Sequence, residues 1–198
     1  MGRLFIVSIL FLMVFCAYSN RIKASNNSVE KTIILTKDGK TEYVIRVSPD
    51  DLVANTAAKE LAQYLKEATG AYFPINGLQD SSDKPFIAVG PAAAKKFFSE
   101  QNIDFAKLGD DGIIIKTING NLLLTGAEGA QRGTLYAVYE FLENTVGIRW
   151  WTSAETYVPK KNNLIIPAMN TIYVPKLLYR DTFYLDTLPN GKFAARLK

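Results

Sequence analysis

The order of apolar and polar positions separates a short N-terminal segment from the rest of the chain. Leu4 to Tyr18 is apolar apart from one serine, and Arg3 stands just before it. A run of about fifteen residues is too short to span a membrane comfortably, but it is typical of a secretory signal peptide. Ala17-Tyr18-Ser19 supplies a small-x-small cleavage site. We therefore predict a signal peptide over residues 1–19 and an exported protein, located in the periplasm, at the cell surface or outside the cell.

Two later segments have the apolar spacing of amphipathic helices. The first is predicted from Asn55 to Thr69, with Gly70 as the left-handed residue beyond its end. Its apolar positions fall at i, i+3, i+4 and i+7, and they are Ala58, Leu61, Ala62 and Leu65. The second is predicted from about Gly129 to Thr145, followed by Gly147. Its buried stripe is predicted to consist of Leu135, Val138, Tyr139, Leu142 and Val146.

Short aliphatic and β-branched runs predict the strands. Thr32–Thr36 and Glu42–Val47 flank Asp38-Gly39, and this arrangement predicts a hairpin. Ile113–Ile118 and Asn121–Thr125 flank Asn119-Gly120, which favours a tight hairpin turn because both central residues need positive φ. A short helix is predicted at Ala92–Phe98. The remaining candidate strands are Pro85–Val89, Leu164–Ile166, Thr171–Val174 and Leu177–Tyr184.

The element order β-β-α-β-α-β-β-α-β predicts the fold class. A mixed β-sheet with its two long helices packed on one face would bury both apolar stripes, which makes an α/β fold of the two-layer α+β type. We assign residues 20–30 to a flexible spacer, because they are polar, and residues 31–176 to this domain. Hydrophobic residues make up 48% of the 198 and charged residues 21%, a globular composition. The net charge of +4 is small and scattered, so we expect no nucleic-acid partner.

The chain lacks several residues on which common active sites depend. It has no histidine, which excludes Ser-His-Asp and Cys-His nucleophiles and histidine metal sites. Its single cysteine, Cys16, lies inside the apolar leader. Two interpretations of Cys16 stay open: a lipid-anchored cysteine, the one route by which we expect contact with a membrane, or an ordinary leader residue. In the second case the mature chain has no thiol. We expect no metal and no cofactor.

Few residues offer chemistry of their own. Trp150-Trp151 could form a platform for sugar stacking, or could fill the core or a domain seam. The glycines between Gly126 and Gly133 match no phosphate-binding motif, so we interpret them as packing residues. Asp50-Asp51 and Asp110-Asp111 are adjacent pairs at turns, and neither forms the facing carboxyl pair that glycoside hydrolysis needs. We therefore predict no catalytic residue in this chain.

Several segments carry a resemblance to known proteins. They are Gly133–Glu143, Val146–Trp151, Val158-Pro159 and Tyr179-Arg180-Asp181. In this order they resemble the N-terminal domain of family 67 α-glucuronidases and of related exported glycosidase-like proteins. They are also similar to the small α/β domain before the barrel of family 20 β-hexosaminidases. The resemblance covers roughly residues 30–185.

The resemblance implies a (β/α)8 barrel that carries the catalytic carboxylates and begins soon after Tyr179-Arg180-Asp181. Residues 177–198 would then be the start of a truncated barrel. It also implies that Arg180, with Asp181, contacts the sugar, because a guanidinium fork can hold two oxygens. The other interpretation of Arg180 is a structural ion pair with Asp181 or a neighbouring acid. We add Trp150 and Trp151 as candidate substrate-binding residues.

Two functions follow as expectations. The first is the non-catalytic N-terminal domain of an exported glycoside hydrolase, α-glucuronidase-like or β-hexosaminidase-like, that takes part in polysaccharide breakdown. Its carbohydrate substrate would be bound through the downstream barrel. The alternative is a stand-alone carbohydrate-binding or surface interaction module without catalysis.

Overall fold

The structure is a computed structural model that describes residues 32–177, 179–180 and 184–198. The predicted signal peptide, the predicted spacer and Asp181 lie outside the described residues.

Ten strands and four α-helices occur in the described ranges. The strands are β1 (Ile33–Thr36), β2 (Val44–Val47), β3 (Ile75–Gly77), β4 (Phe86–Val89), β5 (Ile113–Ile118), β6 (Asn121–Thr125), β7 (Arg149–Trp150), β8 (Thr156–Tyr157), β9 (Leu164–Ile166) and β10 (Asn170–Tyr173). The helices are α1 (Leu52–Thr69), α2 (Pro91–Phe97), α3 (Gly133–Phe141) and α4 (Gly191–Leu197). Single 3₁₀ turns occupy Ser99–Gln101 and Phe105–Leu108, and a π-helical turn, Leu142–Val146, follows α3 directly.

The main sheet is mixed, as predicted. Among the described residues it has six strands in the order β10-β5-β6-β4-β2-β3. Strands β3, β2, β4 and β6 run parallel to one another, whereas β5 is antiparallel to both β6 and β10. Two further pairs, β1 with β9 and β7 with β8, form separate two-stranded ribbons.

Alternating side chains along the strands divide the core into two clusters. Ile87 and Val89 of β4 belong to the larger cluster with the side chains of α1 and α3, whereas Ala88 between them belongs to a smaller cluster with α2. This alternation follows from the two-residue period of a strand. The prediction that both long helices pack on one face is confirmed. The short helix α2 and the 3₁₀ turns cover part of the opposite face.

The first long helix begins three residues before its predicted start. Asp51 is its N-cap, and the carboxylate accepts a hydrogen bond from the Ala54 N–H at 2.8 Å. Leu52 is exposed, so the first turn does not follow the apolar periodicity used for the prediction. Gly70 ends the helix in the left-handed conformation at φ 79°, as predicted.

One predicted hairpin is confirmed and the other is wrong. Strands β5 and β6 have the predicted bounds, and Asn119 and Gly120 both take positive φ between them. Asp38 and Gly39 also turn the chain with positive φ. However, β1 then pairs with β9, while β2 lies between β3 and β4. The turn residues reverse the chain direction, but they do not select the partner strand.

The second long helix differs from its prediction at both ends. It begins at Gly133 rather than Gly129, and the described backbone changes to a π-helical turn at Leu142 before Gly147 ends it at φ 94°. Leu142 is fully buried, as predicted, whereas Leu135 is only half-buried. The helix also buries Ala137 and Phe141, and its buried surface is therefore wider than the predicted stripe. None of the described helices has the length and apolar character that a bilayer span requires.

Candidate functional site

Loops that follow the parallel strands meet at one edge of the sheet. Because β2, β4 and β6 are parallel, their carboxyl ends lie at the same edge, where α/β sheets commonly bind ligands. The loop after β6 packs closely on the start of α3. A Cβ on Gly126 would lie 2.5 Å from the backbone of Gly133, a distance that no side chain tolerates. The interpretation of these glycines as packing residues agrees with this close approach.

Arg180 lies beside this edge and pairs with Asp111, which precedes β5. Its Nη2 is 2.8 Å from Asp111 Oδ2, and its Nη1 donates to the Leu177 carbonyl at 2.9 Å. The other Asp111 oxygen accepts from Arg132 Nε at 2.8 Å. Hydrogen bonding to Asp111 raises the pKa of Arg132 above its usual range. One carboxylate thus orients two guanidinium groups, and the cluster keeps a net positive charge.

The two tryptophans lie in different environments. Trp150 is buried; its Nε1 donates to the Tyr64 hydroxyl at 3.0 Å, and its ring meets Tyr64 and Tyr139 edge-on. This enclosure agrees with the interpretation that Trp150 fills the core, and the contact of Trp150 with sugar stays a prediction. Trp151 directly follows β7, and because successive side chains of an extended chain point to opposite sides, Trp151 is exposed.

Trp151 stacks on Tyr157 across the β7–β8 ribbon. The two ring centroids are 5.8 Å apart at an interplanar angle of 20°, and the residues are 58% and 48% exposed. The Trp151 N–H donates to the Glu155 carbonyl at 3.1 Å, which closes the loop between the strands. We call Trp151 and Tyr157 the aromatic pair.

A partly buried ion cluster joins α4 to the two long helices. The Glu60 carboxylate of α1 contacts Lys192 Nζ at 2.6 Å and Arg196 Nη2 at 3.1 Å, both from α4. It also accepts a hydrogen bond from the Tyr139 hydroxyl, with an O···O distance of 3.2 Å. Phe193 of α4 is buried in the larger core cluster. The last described helix is therefore held by both apolar packing and charge.

Among the described residues, every carboxyl group whose pKa is displaced has it displaced downward. Burial alone would raise the pKa of Glu60, but hydrogen bonds from Lys192 and Arg196 outweigh it and leave the pKa below the ordinary value. Hydrogen bonds from Asn76 and Ser82 lower the pKa of Asp80 to about 2. Hydrogen bonds from Ser153 lower that of Asp186. These carboxyl groups stay ionised at neutral pH.

The described residues contain no grouping of three His, Cys, Asp or Glu side chains that could hold a metal ion.

Asp111 was not predicted as the partner of Arg180, because Asp111 stands at a turn, where Asp is common. Tyr157 was not predicted either, because it becomes a neighbour of Trp151 only through the β7–β8 pairing. The contact of Arg180 with sugar stays a prediction.

Residues 24–141 match the family described as the N-terminus of glycosyl hydrolase family 67. The chain belongs to this family. The match agrees with the resemblance seen in the sequence, and it identifies this family member as a glycosidase-associated domain. A search of curated proteins finds no matching sequence.

A solved glycosidase structure shares the fold of this family member. It is BtGH115A, a family GH115 4-O-methyl-α-glucuronidase with specificity for decorated arabinogalactans, and it is 18% identical with a TM-score of 0.52. The match covers 74% of this chain and 19% of that enzyme. The N-acetyl-β-hexosaminidase of Streptomyces plicatus is 14% identical with a TM-score of 0.47, and the match covers 75% of this chain and 24% of that enzyme. The GH20 β-N-acetylhexosaminidase of Streptomyces coelicolor A3(2) is 15% identical with a TM-score of 0.46, and the match covers 75% of this chain and 25% of that enzyme. The chain thus spans about a fifth of the glucuronidase it matches.

Proposed function

We propose that this chain is the non-catalytic N-terminal domain of an exported glycoside hydrolase, α-glucuronidase-like or β-hexosaminidase-like, that takes part in polysaccharide breakdown. In this proposal, residues 1–19 are the signal peptide, 20–30 a spacer, 31–176 the domain and 177–198 the start of the catalytic barrel. The family match over residues 24–141 is the observation that carries the proposal.

The acidic groups support a non-catalytic role. A glycosidase needs one carboxyl group with a raised pKa as general acid, facing a second carboxylate across the bond. Glu60, Asp80 and Asp186 instead have lowered pKa values. Asp111 is engaged by two arginines, and Glu60 by a lysine and an arginine. Such paired acids hold neighbouring cations in place and are poorly suited to donate a proton to a leaving group.

The exposed apolar side chains from β10 onward support the proposal that a further domain covers this segment. Many of its large apolar or aromatic side chains are exposed, namely Ile172, Tyr173, Val174, Leu177, Tyr179, Tyr184, Leu185 and Leu188. A concentration of exposed apolar side chains in so short a segment marks an interaction surface. β10 is also an edge strand among the described residues. A barrel that follows in the chain would cover this surface, and its first elements would be tethered to it.

Arg180 is the residue through which this part of the chain would reach substrate. It lies within this exposed segment, and Asp111 holds its guanidinium in place. In a barrel, ligand-binding residues gather at the carboxyl ends of strands. We propose that Arg180, together with Asp181, contacts a sugar oxygen or carboxylate in the complete enzyme.

Two measurements test this function. The purified 198-residue chain is expected to give no turnover of aryl α-glucuronides, aryl N-acetyl-β-hexosaminides or glucuronoxylan fragments. Sequencing of the gene beyond the Lys198 codon is expected to reveal barrel coding sequence in frame. Turnover by the chain that disappears on substitution of one of its acidic residues would contradict the non-catalytic role. A stop codon after Lys198 would instead favour the stand-alone binding module.

A further inference from the structure

The aromatic pair of Trp151 and Tyr157 differs from the other exposed apolar residues in its surroundings. Ile172, Tyr173, Val174 and Leu177 are exposed close to one another along the chain. The aromatic pair instead borders a polar loop, in which Thr152, Ala154 and Glu155 are exposed. A flat aromatic surface with hydroxyl and carboxylate groups at its side is suited to a ligand that is apolar on one face and polar at its edge.

The loop that carries the aromatic pair is held by many hydrogen bonds. Thr152 Oγ1 accepts the N–H groups of Ala154 and Glu155 at 3.2 and 2.9 Å. Ser153 donates its N–H and its hydroxyl to Asp186 at 2.7 and 2.5 Å. These bonds lower the pKa of Asp186, which keeps that acceptor ionised. A binding surface fixed in advance loses little conformational freedom when a ligand arrives.

We propose that the aromatic pair is a carbohydrate-binding platform that stacks against a pyranose unit of an oligosaccharide. The C–H groups of one pyranose face pack on the exposed indole, which offers a large rigid area at low entropic cost. The hydroxyl groups at the sugar edge then meet Thr152 and Glu155 or water. The second ring, Tyr157, supports Trp151 and extends the surface. This inference rests on the proposed glycosidase association and adds a sugar contact that is independent of Arg180.

The test measures oligosaccharide binding by the 198-residue chain. Isothermal titration calorimetry uses two probes, a β-1,4-linked hexamer of xylose and one of N-acetylglucosamine. At least one is expected to bind with a Kd of about 1 mM or tighter. Trp151→Leu, which keeps apolar character but loses the flat ring, is expected to weaken binding about tenfold, and Trp151→Phe less. Tyr157→Leu is expected to weaken binding in the same direction.

Tyr72→Ala is the matched control, because Tyr72 is an aromatic residue that is 70% exposed elsewhere in the chain. It is expected to leave the Kd unchanged. The melting temperature of every variant is measured to check that it is folded. Trp151→Leu, Trp151→Phe and Tyr157→Leu give three independent measurements of the effect on affinity. Absence of binding to both hexamers, or equal affinity in Trp151→Leu and the unchanged chain, overturns the platform. Since binding needs no turnover, this failure is distinct from a failure of the proposed non-catalytic role.

Discussion

Substitution of Glu60 by glutamine tests whether charge holds the last helix to the domain. Glu60 and Arg196 have side chains only 8% and 11% exposed, whereas Lys192 is 63% exposed. The change removes one negative charge and leaves the guanidinium of Arg196 buried without a counterion. The side chain of glutamine keeps an oxygen that can still accept the Tyr139 hydroxyl, so this hydrogen bond need not be lost.

The two ion pairs are expected to contribute unequally. Loss of one partner of a buried pair costs about 3–5 kcal/mol, because an uncompensated charge remains in the interior. An exposed pair contributes about 0–1 kcal/mol. We therefore expect Glu60→Gln to lower the free energy of unfolding by about 3 kcal/mol, nearly all of it through Arg196. Lys192→Met is expected to cost less than about 1 kcal/mol.

Urea denaturation followed by circular dichroism measures these losses in the 198-residue chain. The double variant Glu60→Gln with Arg196→Met is expected to be more stable than Glu60→Gln alone, because it removes the uncompensated charge. If Glu60→Gln costs less than about 0.5 kcal/mol, or no more than Lys192→Met, the cluster does not hold α4 and the reasoning is refuted.

The same carboxylate predicts a dependence of stability on pH. The pKa of Glu60 lies below its ordinary value of 4.5 in the folded chain, so the unfolded state takes up the proton first as pH falls. The stabilisation is therefore fully present above the unfolded pKa and is lost as pH falls through the folded pKa. The measurement runs from pH 6 to pH 3, about 1.5 units either side of that ordinary value. Over this range the melting temperature of Glu60→Gln is expected to fall less steeply than that of the unchanged chain. Equal slopes in both chains would contradict this origin.

Three further substitutions test the packing and the arginine site. Leu142→Ala is expected to cost about 2–5 kcal/mol in urea denaturation because Leu142 is fully buried, and Leu135→Ala clearly less because Leu135 is half-buried. Equal losses would contradict this difference in burial. Arg180→Lys is expected to change the stability of the 198-residue chain by less than about 1 kcal/mol, because Asp111 keeps its bond to Arg132. A larger loss would make Arg180 a structural residue and weaken its assignment to substrate.

Elements whose signals are local in the chain were predictable. The β5–β6 hairpin follows from Asn119-Gly120, since those two residues favour the positive φ that the turn needs. Gly70 and Gly147 mark the ends of both long helices for the same reason. The family could also be recognised from sequence, because the resemblance includes Gly133 to Phe141, which lie inside the matched range 24–141.

Pairings between distant segments were not predictable in the same way. β1 pairs with β9, more than a hundred residues later, and no turn signal encodes that choice. The same holds for Asp111, which the fold brings 2.8 Å from Arg180, and for Glu60, which it brings to α4. Such contacts depend on where whole elements pack, and many alternative pairings satisfy the same local pattern.

The periodicities, the turns, the family and the lack of histidine follow from the sequence, since each depends on residue identity or on short-range backbone preference. The enclosure of Trp150 and the exposure of Trp151 on Tyr157 instead depend on how distant elements pack. Adjacent strand residues point to opposite sides, and the packing of the β7–β8 ribbon on the domain selects which of them is buried. That selection depends on the positions of Tyr64 and Tyr139, which only the folded chain brings to Trp150.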